Sequence, residues 1–112
     1  MPGITAIKGD IDPRWQAIID ISVYIESNPK EIWDFVVRWG QHEDENIRNA
    51  ISTCLLEHLL EYHFKQIFPK VEELVRKSRL FANTFCKCWK FGQSEEPENS
   101  IKIDQLKKEF CS

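Results

Sequence analysis

Alternation of apolar and polar residues over strand length is missing from this 112-residue chain. Its absence leaves all-α as the expected fold class. Also missing is any run of about eighteen uncharged apolar residues, so no membrane span is expected. The N-terminal stretch MPGITAIKGDID has neither a basic n-region nor an apolar run. No secretory signal is therefore expected, and a cytoplasmic setting follows. There the thiols of Cys54, Cys86, Cys88 and Cys111 are expected to stay reduced.

The patterns of catalysis and cofactor binding are equally scarce. The four glycines are scattered, which excludes a glycine-rich phosphate loop, and no nucleophile elbow occurs. On a helix, Cys86 and Cys88 point about 200° apart. Their spacing is neither a CxxC redox motif nor a zinc knuckle, so both read as packing cysteines. The densest polar cluster is Glu57, His58, Glu61 and His63. A zinc-protease helix needs its two histidines four apart with a glutamate just after the first, and these are five apart. His58 falls among Leu55, Leu59 and Tyr62 and is expected to be a half-buried structural residue. No enzyme, no cofactor and no metal are expected.

What the chain does have is helical periodicity. In HEDENIRNAISTCLLEHLLEY, Ile47, Ala50, Ile51, Cys54, Leu55, Leu59 and Tyr62 form one apolar face, widened by Leu56 and Leu60. The spacing predicts a central helix over 43–62, covered from two sides. Glu43, Asp44 and Glu45 suit its positive N-terminal end, and Asp44 and Arg48 can pair across one turn. Asp12-Pro13 and Asn28-Pro29 are start signals for two earlier helices, over 13–26 and 29–39. Trp15, Ile18, Ile19, Ser22 and Ile25 make the buried face of the first, and Ile32, Trp33, Val36 and Val37 that of the second. Gly40 is placed for a left-handed C-terminal cap.

A fourth pattern spans 64–78, interrupted by Pro69, where a helix start is preferred after a short helical turn. A fifth, over 80–91, is capped by Gly92. The expected core joins Trp15, Trp33, Ile47, Ile51, Leu55, Leu59, Phe85 and Trp89. Residues 1–92 are read as one helical domain and 93–112 as a polar linker and tail. In the tail, IKIDQLKKEF is expected to be a short strand or one loose helical turn.

Asp10-x-Asp12-Pro13-x-Trp15 matches His42-x-Asp44-Glu45-x-Ile47 at an offset of 32, a period near that of helical-hairpin solenoids. Asp44-Glu45-Asn46-Ile47-Arg48-Asn49-Ala50, followed by Leu55, resembles the core of a HEAT repeat. In that repeat an aspartate turn leads into a hydrophobic–arginine pair, an alanine and a leucine. The first hairpin has Gln16 in place of the arginine, and the third lacks the aspartate turn. LLEHLLEYHFKQIFP and FCKCWKFG also resemble small bacterial HEAT-like proteins. The resemblance implies an α-α superhelix of about five helices in antiparallel hairpins, used as a protein-binding surface. Related HEAT-like DNA glycosylases use several more helices than this chain can supply.

Charge is unevenly spread. Residues 41–63 carry one basic and five acidic side chains, whereas 64–92 carry seven and two. If hairpins stack as in a solenoid, the second helix of each faces the partner. This points to Glu31, Asp34, Glu72 and Glu73 as partner-binding residues. The concrete expectation is an immunity protein, monomeric when free, that covers the groove of a basic toxin domain such as a nuclease. The alternative is a nucleic-acid-binding domain using Lys65, Lys70, Arg76, Lys77, Arg79, Lys87 and Lys90. It ranks second because Phe68, Phe81, Phe85 and Trp89 repeat at core spacing.

Overall fold

Proline at a first helical position loses no hydrogen bond, and three helices among the described residues start that way. The computed structural model describes residues 13–111, and every regular element among them is helical. Helix α1 (Pro13–Ile21) opens on Pro13; its expected cap, Asp12, lies outside the described residues. The Ser22 hydroxyl donates to the Ile19 carbonyl at 2.6 Å, and the chain tightens into a 3₁₀ turn over Ser22–Tyr24. The helix therefore ends before 26. Ile18 and Ile25 reach the core, while Ile19 does not.

Helix α2 (Pro29–Trp39) has the predicted limits and buries Ile32, Trp33 and Val36. Trp33 meets the ring of Phe81 edge-on at 5.9 Å. Gly40 follows at φ −69°, not in the left-handed region expected. Space selects it instead: a Cβ there would sit 2.6 Å from the Val36 carbonyl and 3.1 Å from the Phe81 ring.

Asp44 caps α3 (Glu45–Ala50), its carboxylate accepting the Asn46 N–H at 2.9 Å. The expected Asp44–Arg48 pair is not made. Asp44 pairs with Arg14 at 3.1 Å. Arg48 is buried and turns to the carbonyls of His42 and Glu43, at 2.8 and 2.9 Å, and to the side chain of Asn83.

Helix α3 runs on through a π-helical segment (Ile51–Leu56) into α4 (Glu57–Lys77). Ile51, Leu55, Leu56, Leu59 and Leu60 are all buried, the covering from two sides that the wide apolar face predicts. The break in α4 is at His63 (φ −137°, ψ 42°) and not at Pro69. Pro69 and Lys65, whose carbonyl it leaves without a helical donor, are both exposed, so water can take the donor's place.

Helix α5 (Arg79–Cys86) is capped by Ser78, which accepts from Phe81. It stops well short of 91 because other side chains take its next backbone groups. The Trp89 N–H donates to the Glu57 carboxylate at 2.9 Å, and the Cys88 carbonyl accepts from Lys107 at 2.6 Å. Helical periodicity thus no longer governs Trp89, which is 73% exposed and not in the core. Trp15 is only partly buried against that core.

The tail departs most from expectation. Residues Pro97–Phe110 form α6, neither a strand nor a loose turn, and Ile103 and Leu106 are buried in the common core. Cys86 and Cys111 are joined by a disulfide with Cα atoms 5.7 Å apart, so these two thiols are not free. Helix α1 packs on α3, α2 on α4, α3 on α5 and α4 on α6. The Cα envelope measures 42 × 28 × 22 Å.

Candidate functional site

The acidic residues singled out from sequence do not converge. Asp34 and Glu73 face one another across a groove of about 360 Å³ floored by Trp33, Val37 and Leu74. Lys70 and Lys77 share it, and Lys77 pairs with Glu73 at 3.2 Å. Glu72 belongs to a different network, in which Arg76 bonds both Glu72 (3.3 Å) and Glu109 (3.1 Å). Glu31 sits in the first turn of α2, outside that groove.

A second groove, of about 430 Å³, is lined by fewer charged side chains. It runs between the end of α1 and the π-helical segment with the start of α4. The 3₁₀ turn swings Val23 outward to 74% exposure. Ile19 is 44% exposed, and Tyr62 on the opposite wall 42%. Tyr24 beside Val23 is exposed as well. Ile19, Val23 and Tyr62 line one groove where a solvated face would carry polar side chains. Its floor includes Cys54 and His58. The opposite wall owes its shape to the π segment, where the Glu57 N–H donates five residues back, to Ser52.

Carboxylates rim this groove. Glu61 and Glu26 raise the Tyr62 hydroxyl above its ordinary value by their negative charge. His58 bonds Glu61 at 2.7 Å and lies 3.7 Å from Glu57, stacking its ring on Phe91. It is half-buried, as its place among Leu55, Leu59 and Tyr62 predicts. Glu57 is buried, and burial raises its carboxyl above the usual range.

Neither free thiol is tuned toward nucleophilic chemistry. Burial raises Cys54 and pushes Cys88 up to about 12. Among the described residues, no three His, Cys, Asp or Glu side chains are grouped to hold a metal ion. Nor is any helix among them long and apolar enough to cross a membrane.

The basic stretch is largely matched within the fold. Lys87 pairs with Glu45 (3.0 Å) and Lys90 with Asp104 (2.6 Å), besides the Arg76 and Lys77 pairs above.

No family model, curated protein or solved structure matches the chain.

Sequence reasoning put Ile19 and Tyr62 on buried stripes and so missed the groove they form. A signal was present: Ile18, Ile19, Ile21, Val23, Tyr24 and Ile25 are too many apolar residues for one helix face to bury.

Proposed function

We propose that this chain is a non-catalytic protein-binding module of stacked helical hairpins, arranged as in HEAT and armadillo repeats. It is monomeric when free, and the cytoplasmic setting proposed for it requires that the Cys86–Cys111 disulfide persist there. Most concretely, it serves as an immunity protein that covers a basic toxin domain. The observation that carries the reading is the exposed groove of Ile19, Val23 and Tyr62 between Glu26 and Glu61. Apolar anchors inside a negative rim suit a partner that presents an apolar ridge flanked by lysine or arginine. Charge would speed the encounter and the buried anchors would set the lifetime. The packing of α1 on α3, α2 on α4, α3 on α5 and α4 on α6 supports the hairpin arrangement, since each helix meets the one two places on. The raised thiols support a binding role over a cysteine-based one.

The test is capture from the native host, followed by titration of the purified partner. A one-to-one complex weakened at least tenfold by Val23→Asp supports the groove. Weakening by charge reversal at Asp34 and Glu73, with Val23→Asp silent, moves the contact to the α2–α4 groove. Failure to form a stoichiometric complex with any basic protein overturns the reading.

A further inference from the structure

Trp89 is the most exposed tryptophan side chain among the described residues, and the peptide unit leading into it is held at both its C=O and its N–H. Its own N–H is fixed to Glu57, and the carbonyl before it is fixed to the Lys107 ammonium. A large indole is thus displayed on an anchored segment. Beside it opens a groove of about 500 Å³ whose walls include Lys87, Lys90 and Lys107 and no carboxylate.

We propose that this groove binds a nucleotide unit, with the base stacked on Trp89 and the phosphate held by Lys87, Lys90 and Lys107. A flat aromatic beside lysines lining the same groove is an arrangement that can engage a base and its phosphate together. The carboxylate partners of Lys87 and Lys90 do not block it, and the Lys107 ammonium has two donors beyond its bond to the Cys88 carbonyl. Glu45 and Asp104 have side chains 62% and 64% exposed, so a phosphate can displace them at little loss. A phosphate also forms charge-assisted bonds to several ammonium groups at once. Glu57, which accepts the Trp89 N–H, does not line the groove. Cations near the C-terminal ends of α5 and α6 also offset the helix dipoles, but that role needs no exposed indole between them. The site lies on different residues from the Val23 groove and does not depend on the protein-binding reading.

The experiment is a fluorescence titration of the intact oxidised chain with an eight-residue oligothymidylate, with thymidine monophosphate and with polyglutamate, at 50 and 200 mM salt. Saturable quenching by the nucleotides but not by polyglutamate is expected. It should disappear in Trp89→Ala and weaken at least tenfold in the Lys87→Gln, Lys90→Gln double variant. With the oligomer, the double variant should also have a shallower salt dependence, since each lost phosphate contact on a single strand removes about 0.7 unit of slope. Circular dichroism of both variants checks that the fold is kept. Binding of oligomer and monomer alike identifies a free nucleotide as the source; binding of the oligomer alone identifies a single strand. Absence of quenching up to millimolar ligand overturns the proposal. So does oligonucleotide binding in an anisotropy assay that Trp89→Ala leaves unchanged, or equal quenching by polyglutamate. Val23→Asp should leave nucleotide binding intact, which separates failure here from failure of the docking groove.

Discussion

The side chain of Gln93 takes the place of the helical partners that Phe64 and Tyr62 lose at the break in α4. Its amide oxygen accepts the Phe64 N–H at 2.9 Å, and its amide nitrogen donates to the Tyr62 carbonyl, also at 2.9 Å. His63, at the break, bonds the Ile25 carbonyl at 3.0 Å. The kink is thus tied to the first hairpin on one side and to the C-terminal segment on the other. Asn99 bonds the Gln93 carbonyl and keeps the clasp in place.

Replacing Gln93 by Ala should therefore destabilise the fold by about 1–3 kcal/mol, the usual loss when such groups are left unmatched. Urea denaturation measures the change. Hydrogen exchange at the Phe64 amide should quicken more than at Val71, deep in the same helix. Equal quickening at both would show that Gln93 acts only on global stability.

Leu55, at 0% exposure in the π segment, should lose about 2–5 kcal/mol on replacement by Ala. Thr53→Ala, on the exposed side of that segment, should change stability by less than about 1 kcal/mol. The same urea titration compares the two.

The Cys86–Cys111 disulfide closes a sequence separation of 25 residues, for which a loss of about 3 kcal/mol is expected when the bond is removed. Cys111→Ser should lower the melting temperature to that of the reduced wild type. Thiol counting gives an independent check: the unfolded chain without reductant should show Cys54 and Cys88 as its free thiols, and reduction should expose all four cysteines. In the native state Cys54 should alkylate well before Cys88, which is buried and held protonated.

Glu57 gives the stability a pH dependence whose sign is fixed. Its folded-state carboxyl is raised above the ordinary 4.5, chiefly by burial, so the native state binds the proton more tightly than the unfolded chain. This contribution is fully present below 4.5 and is lost as pH rises through the raised value. Glu57→Gln keeps an acceptor for the Trp89 N–H but cannot ionise. The wild type should thus lose stability relative to Glu57→Gln as pH increases from 4.5 toward neutrality, followed by chemical denaturation at several pH values. A difference that stays constant across that range would show that Glu57 ionises alike in both states.

Local pattern made much of the helical content legible. The Asn28-Pro29 start, the Asp44 turn and the apolar face from Ile47 to Tyr62 each act within a few residues, and each element forms where they place it. The misplaced features depend on partners distant in sequence. Trp89 leaves the helical period because Glu57 and Lys107 capture the backbone around it. The tail folds because Ile103 and Leu106 find a core built by other segments, which its own charged sequence does not announce. The groove at Val23 was hidden for a related reason: periodicity identifies apolar faces but not whether a neighbour covers them. Asp34 and Glu73, by contrast, do share a groove, with their charges balanced by Lys70 and Lys77.

The clasp at Gln93 and the anchors at Lys107 and Cys111 all act on residues made earlier in the chain. During synthesis from the N-terminus, the first helices emerge while the break at His63 still lacks its clasp and the Cys88 carbonyl its lysine. The stretch from Gln93 to Cys111 closes the molecule. A chain stalled before that stretch carries a core without Ile103 and Leu106, so its exposure to proteases and aggregation is governed by how quickly residues 93–111 follow.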